Sequence, residues 1–431
     1  MMRCWLALST LFAGILVPGA QAETLEEAML AAHRNNPNLE EARLAVAAAR
    51  EDRVQARAAY FPSLGVTGAY GVQDLEIEQD TLFGPSTTNT DLEPFNTSVR
   101  LTQQLYTGGR RGGQSRLARA GHEGAQHGLR AREQDVLLAT VEAYLSVQRD
   151  AEVVRLREAH VDALNEQVRG TQRRLDVGEV SRTDLAQAQT RLAGAEARLA
   201  RSQAALENSR ARYALVVGRE PDNLAPVPAP AVPESLDAAV RQAQTHPDVA
   251  RARADERAAE ARVAIERSAM RPQLSVVGSL DHYEDDSNFV GQRRETTGAI
   301  AQVTWPLFEG GFARSRTRQG RLNLERAEVL TEAQRREVIA GVISAWNDFA
   351  ASGRVVEAAQ VQVEASEVAL SGADRERGFG LRSTLDVLDA EEEYRNALIS
   401  FADAEAEAQY AAYALLAATG ALSLETLGLG E

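Results

Sequence analysis

Lysine is missing from this chain, so all 47 basic residues are arginine. That excludes Schiff-base chemistry and a phosphate-loop lysine. Cysteine occurs once, at Cys4. Long apolar runs are missing beyond the first twenty or so residues. The single early run, Cys4 to Val17, follows Arg3 and precedes Ala20-Gln21-Ala22, the layout of a cleaved signal peptide. It is shorter than the roughly 20 residues a spanning helix needs. Residues 1–22 are therefore expected to leave, with mature protein starting at Glu23. Cys4 leaves with them, and with it any disulfide, thiolate nucleophile or cysteine metal ligand. Without Arg3, 46 arginines face 62 acidic residues, a balance of −16 that disfavours a nucleic-acid partner. The six histidines, His33, His122, His127, His160, His246 and His282, have no ligand-like spacing. No metal, cofactor or catalytic residue is expected. Aromatics are scarce at 5%.

What fills the chain instead is Ala, Arg, Glu, Leu and Gln in long tracts without proline, the composition of long helices and coiled coils. The chain is also written twice. "TLEEAMLAAHRNNPNL" from Thr24 returns as "SLDAAVRQAQTHPDV" from Ser235, and "PSLGVTGAY" from Pro62 answers "PQLSVVGSL" from Pro272. Gly108-Gly109 match Gly310-Gly311, Tyr144 matches Trp346, and Gly218 matches Gly420. This gives a first repeat over 23–218, a proline-rich linker over 219–234 that cannot be helix, and a second repeat over 235–431. Each repeat reads as one helix (about 24–60 in the first, ended by Pro62), two alternating segments, and two long helices. In the first repeat Leu64, Val66, Tyr70 and Val72 share one face, and Val99, Leu101 and Leu105 follow after a polar loop. In the second, Leu274, Val276 and Leu280 precede Ala301, Val303, Trp305 and Leu307. Such alternation suits a soluble sheet or an outer-membrane barrel strand. Four strands cannot close a barrel, and lipid tolerates no open edge, so the membrane reading requires several chains to share one wall.

Proline-free tracts at 113–176 and 313–376 run into helices at 181–217 and 383–418. Apolar residues recur every seven positions: Val147 to Leu175, Leu185 to Tyr213, Val342 to Leu370, Val387 to Leu415. A strict seven-residue period predicts left-handed coiled coils. A companion stripe of Ala390, Ala397, Ala404, Ala411 and Ala418, with Ala188, Ala195, Ser202, Ser209 and Val216 in the first repeat, predicts closely packed seams.

Between the helices of each pair stand "GEVSRTDLAQAQTR" from Gly178 and "GLRSTLDVLDAEEE" from Gly380, 202 positions apart. Gly178 and Gly380 fit helix C-termini, and Ser181 with Asp184, or Ser383 with Asp386, give the N-terminal Ser-x-x-acid pattern. Two tight turns between antiparallel helices are predicted. Asp386 and Asp389 share one helix face.

With "NPNL", "LYTGGR" and "PLFEGG", these motifs resemble the TolC family of outer-membrane efflux and secretion ducts, over essentially the whole mature chain. The resemblance implies a mostly α fold with a small β part, a homotrimer whose four strands per chain complete a twelve-stranded outer-membrane β-barrel, and a long periplasmic α-barrel below it. It implies an exit duct across periplasm and outer membrane, served by a periplasmic adaptor (membrane fusion protein) and an inner-membrane transporter. Carried over by motif, Asp184, Arg382, Asp386 and Asp389 take the family's periplasmic gate positions. Many members carry tyrosine where Arg377 stands here, so an ion pair of Arg377 is expected in place of the tyrosine link. Gly178, Val180, Ser181, Gly380 and Ser383 take the adaptor-contacting tip. The "STLDVLDAEEE" stretch and "YAAYALLAATGAL" ending look most like secretion-type members, with multidrug efflux as the alternative use. A periplasmic coiled-coil structural protein would explain the heptads but not the matched strand pairs, and a secreted enzyme explains neither.

Overall fold

The computed structural model describes residues 22–284 and 293–428. The expected signal peptide lies outside the described residues except for Ala22. The chain divides into two compact units. One gathers Met1–Pro37, Glu133–Ala239 and Val342–Glu431; the other gathers Asn38–Arg132 and Val240–Gly341. Each draws on both repeats.

The chain starts with α1 (Leu25–Asn35) and α2 (Pro37–Ala58), where the sequence alone had suggested one helix. Asn36 takes extended angles, φ −73° and ψ 123°, because the ring of Pro37 disfavours helical geometry in the residue before it. Thr24 caps α1 through a reciprocal box with Glu27.

Four strands follow in the first repeat: β1 (Ser63–Tyr70), β2 (Gln73–Thr81), β3 (Gly84–Leu92) and β4 (Phe95–Tyr106). Between them the expected polar loop is a hairpin, β2 paired with β3 from Gln73 opposite Leu92 to Thr81 opposite Gly84. Its alternating "TTNT" stretch is β-branched but carries no apolar face, so the usual strand signal was missing. The long helices are α3 (Arg110–Asp176) and α4 (Arg182–Val217). In the second repeat α5 (Leu236–Gln242) and a single 3-10 turn at Ala243–Thr245 lead to α6 (Pro247–Ser268). Strands β5 (Gln273–Glu284) and β6 (Arg293–Thr304) precede α7 (Phe312–Gly378) and α8 (Thr384–Ala418). At 67 residues each, α3 and α7 are about 100 Å long.

In the unit that holds the strands, one antiparallel sheet has the order β1-β4-β5-β6. Leu64 lies opposite Leu101, Val66 opposite Val99, Val99 opposite Leu280, and Leu274 opposite Val303, so one face is apolar across all four strands. Leu64 remains 68% exposed and Val303 66%. The other face carries Ser63, Gly65, Thr67 and Ser98, with Ser98 and Ser279 donating to Asp281. A register shift between Gln104 and Tyr106 puts a bulge at Leu105, where the alternation stops. At the start of α3, Gly108 holds φ +65°, and a Cβ there would sit 2.6 Å from the Ser268 carbonyl oxygen; only glycine fits.

The other unit contains the predicted seams. Ala188, Ala195 and Ser209 on α4 and Ala397, Ala404 and Ala411 on α8 are buried. A core of Leu25, Met29, Leu137, Val141, Tyr144, Tyr213, Val217, Val227, Tyr413 and Leu416 joins α1, α3, α4, α8 and the proline-rich segment. That segment is more than a spacer. Glu23 forms a parallel bridge with Leu224, and the Tyr144 hydroxyl lies 2.6 Å from the Glu23 carbonyl and 2.7 Å from that of Ala225. The Glu23 carboxylate accepts from the Tyr213 hydroxyl and from Arg219, each at 2.6 Å.

Candidate functional site

The two helical turns are built alike to the atom. After α3, the Gly178 amide donates to the Leu175 carbonyl and the Glu179 amide to Arg174, both at 2.9 Å. After α7, the Gly380 amide donates to Arg377 and the Leu381 amide to Glu376, again at 2.9 Å. This six-to-one and five-to-two pairing closes a helix when the next residue turns left-handed, and Gly178 and Gly380 have φ of +81° and +73°. No other residue type adopts that angle cheaply.

Each new helix then opens with a reciprocal box. Asp184 accepts from the Ser181 amide and hydroxyl, both at 2.9 Å, while its own amide donates to Ser181 Oγ at 3.2 Å. Asp386 does the same with Ser383, at 2.9, 2.8 and 3.2 Å. The serine amide bond, then the serine hydroxyl, hold both carboxyls below the usual aspartate range, with smaller help from Arg174 and Arg382. Asp184 and Asp386 are thus occupied at home, as caps that stay ionised.

The remaining charges divide differently from the sequence expectation. Arg382 pairs with Glu376 at 2.8 Å and Arg377 with Asp374 at 2.6 Å. Both pairs stay inside the second hairpin. Arg377 does form an ion pair, but on its own helix. Asp389 is the predicted residue that reaches across, meeting Arg191 of α4 at 2.6 Å. One and two turns further, Glu392 of α8 takes Arg198 at 2.7 Å and lies 3.9 Å from Arg191. Arg191, Arg198 and Glu392 form a charged ladder between the hairpins that the sequence did not disclose. Arginines seven apart on α4 were the available signal, but their partner helix is not written in the sequence. Below the ladder Leu164, Ala195 and Leu388 pack with Val161 and Leu192. His160 is buried at 4% exposure with Nδ1 unbonded. Burial, then Arg395, lowers its pKa, with Arg157 and Arg198 adding to the effect and Glu392 opposing it.

Val180 is half-buried, while Gly178, Ser181, Gly380 and Ser383 are exposed at the two turns. Such a site has ion pairs to break and remake between turns that keep their own bonds. Among the described residues no three His, Cys, Asp or Glu side chains gather to hold a metal ion, and no helix is long and apolar enough to cross a membrane. The latter has no bearing on the strands.

The family model described as outer membrane efflux protein matches residues 30–219 and 239–421, one match per repeat. The outer membrane efflux protein BepC of Brucella suis biovar 1 is 31% identical over 428 residues, spanning 98% of this chain and 91% of BepC. The alkaline protease secretion protein AprF of Pseudomonas aeruginosa is 25% identical, over 84% of this chain and 77% of AprF. Among solved structures, the Campylobacter jejuni CmeC outer membrane channel superposes with a TM-score of 0.81 at 16% identity, covering 92% of this chain and 85% of CmeC.

Proposed function

This chain belongs to the outer membrane efflux protein family, and we propose that it is the outer-membrane exit duct of a tripartite export system. The observation that carries this reading is the four-stranded sheet with a continuous exposed apolar face and two unpaired edges, on β1 and β6. A lone four-stranded sheet in lipid leaves backbone groups unsatisfied. Three copies, joining β6 of one to β1 of the next, supply twelve strands and no edge. The polar face with Ser98, Ser279 and Asp281 then lines water. The long helices continue the wall into the periplasm as an α-barrel.

The paired turns are the periplasmic gate and tip. Gly178, Val180, Ser181, Gly380 and Ser383 meet the hairpin of a periplasmic adaptor, which works with an inner-membrane transporter. Asp389 with Arg191 tethers the second hairpin to the first, and Asp184, Asp386, Arg377 and Arg382 shape the turns so that this tether closes. We favour type I protein secretion, a reading supported by the likeness to AprF, an alkaline protease secretion protein; the likeness to BepC, an outer membrane efflux protein, supports multidrug efflux as the second reading. Deleting the gene and measuring both antibiotic sensitivity and loss of exported proteins separates the two. A deletion strain with neither defect, or a purified protein that stays monomeric and detergent-free in buffer, would overturn the duct itself.

A further inference from the structure

We propose that the two helical hairpins enclose a binding pocket for a small organic anion, with a carboxylate head and a compact apolar body. Resting on the duct reading, the consequence is that such an anion holds the gate shut by bridging α3 and α4 to the first turn of α8.

Between the hairpins lies a cavity of about 310 Å³, at the lower end of ligand-pocket sizes and room for about ten water-sized groups. Its polar wall comes mainly from α3 and α4 at helical spacing, with Gln167, Thr171 and Arg174 from the first and Gln187 and Arg191 from the second, joined by Ser383 and Thr384 at the start of α8. Leu385 and Leu388 of α8 form part of the apolar wall.

Three features give the pocket its sign. Gln167 Nε2 is shut off from solvent and has no hydrogen-bond partner, and a buried N–H donor left unpaired is rare in a native fold. Arg174 makes no direct ion pair among the described residues and acts on Asp184 only at longer range. Asp184, the one acidic group in the lining, is already committed to the Ser181 amide and hydroxyl. Arg191 is held by Asp389 at 2.6 Å, so Arg174 is the guanidinium left for a ligand, beside an amide donor with nothing to bind. A guanidinium fork and an amide N–H match a carboxylate's two oxygens. The leucine wall asks for carbon behind that head, which inorganic anions lack.

The test is titration calorimetry of the full-length protein in detergent, with sodium benzoate and sodium phosphate as probes. Benzoate is expected to saturate at one per chain, and Arg174→Gln to weaken it at least tenfold. Gln167→Leu supplies a second measurement that does not depend on a tolerant fold. It removes an unsatisfied buried donor, so Tm of the ligand-free protein should rise, while the further rise caused by benzoate disappears. No saturable benzoate binding, or binding that Arg174→Gln leaves unchanged, overturns the pocket. Phosphate binding as tightly as benzoate overturns the apolar body. Bilayer conductance of the same sample keeps the two readings apart. A sample that conducts but ignores benzoate sinks the pocket alone, and one that binds benzoate but conducts neither with it nor without it sinks the duct alone.

Discussion

Replacing Tyr213 by Phe tests whether the proline-rich segment is clamped by a buried carboxylate. The ring of Tyr213 is fully buried and stays so in the variant, resting 6.4 Å from the Tyr144 ring. Only the hydroxyl is lost, and with it one of two 2.6 Å bonds to the Glu23 carboxylate, whose side chain is 8% exposed. A hydrogen bond to a charged group contributes about 1.5–3 kcal/mol. In units of 150–250 residues each kcal/mol moves Tm by about 2–4 °C, so a fall of about 3–12 °C is expected by circular dichroism. Tyr410→Phe on α8 is the control, since that half-buried hydroxyl makes no hydrogen bond among the described residues; its Tm should move little. The double variant sharpens the test. Arg219→Gln leaves Glu23 with the tyrosine alone, and removing both partners strands a buried charge. The combined loss should exceed the sum of the single losses by about 1 kcal/mol. Strict additivity, or equal effects of Tyr213→Phe and Tyr410→Phe, would refute the clamp.

Asp389→Ala and Arg191→Ala should each raise single-channel conductance in lipid bilayers, and the double variant should add little to either, because both cut one tether; unchanged currents would reduce Asp389 to a surface charge. Stability should fall with acid in two windows. His160 has a lowered pKa, so the unfolded chain binds the extra proton first and stability is lost as pH drops below about 6.5; His160→Leu should flatten that limb. Asp184 and Asp386 also have lowered pKa values, so their contribution is complete above about pH 4 and lost only below it; helix loss confined to the turns, followed by hydrogen exchange, should appear there and not at pH 6. Ala397→Leu adds three carbons at a position with 0% exposure and should destabilise by about 1–3 kcal/mol; unchanged unfolding would mean that the alanine stripe is not a packed seam.

Much of this was legible because it is periodic or local. Proline-free tracts gave α3 and α7 nearly to their ends and heptads gave their C-terminal halves with α4 and α8, since a seven-residue stripe has to face another helix. Gly178-x-x-Ser181 and Gly380-x-x-Ser383 gave both turns, since left-handed angles and open helix ends admit few residues. Strand alternation gave β1, β4, β5 and β6. What stayed hidden was either non-periodic or between elements. In the β2–β3 hairpin only Leu75 and Ile77 of β2 alternate, and the TTNT stretch of β3 has no apolar face. The break at Asn36 depends on a single proline ring inside a convincing helical pattern. Arg191 and Glu392 look like any other solvated helix charge until α4 and α8 are seen side by side. Glu23 gave no sign at all, because its partners lie 190 and 196 residues away.

In the proposed gate, the division of labour between caps and ladder would let a turn be both well shaped and easy to open. The Ser-Asp boxes and glycine turns lie wholly within one hairpin, so nothing about them changes when the hairpins part. The hairpins are joined by Arg191–Asp389 and Arg198–Glu392, with Arg149 to Asp403 higher on α8 at 3.7 Å. These groups are partly or largely exposed, and such pairs contribute about 0–1 kcal/mol each. Three of them add only a few kcal/mol at most to the apolar contact of Leu388 with Leu164 and Ala195, and those few kcal/mol are less than an ordinary protein contact supplies on binding. Breaking every tether therefore leaves each hairpin's own structure intact, and a partner docking on the exposed turns can supply the difference. Were the caps themselves the links between hairpins, opening would cost the helix ends as well, and the same partner could not drive it reversibly.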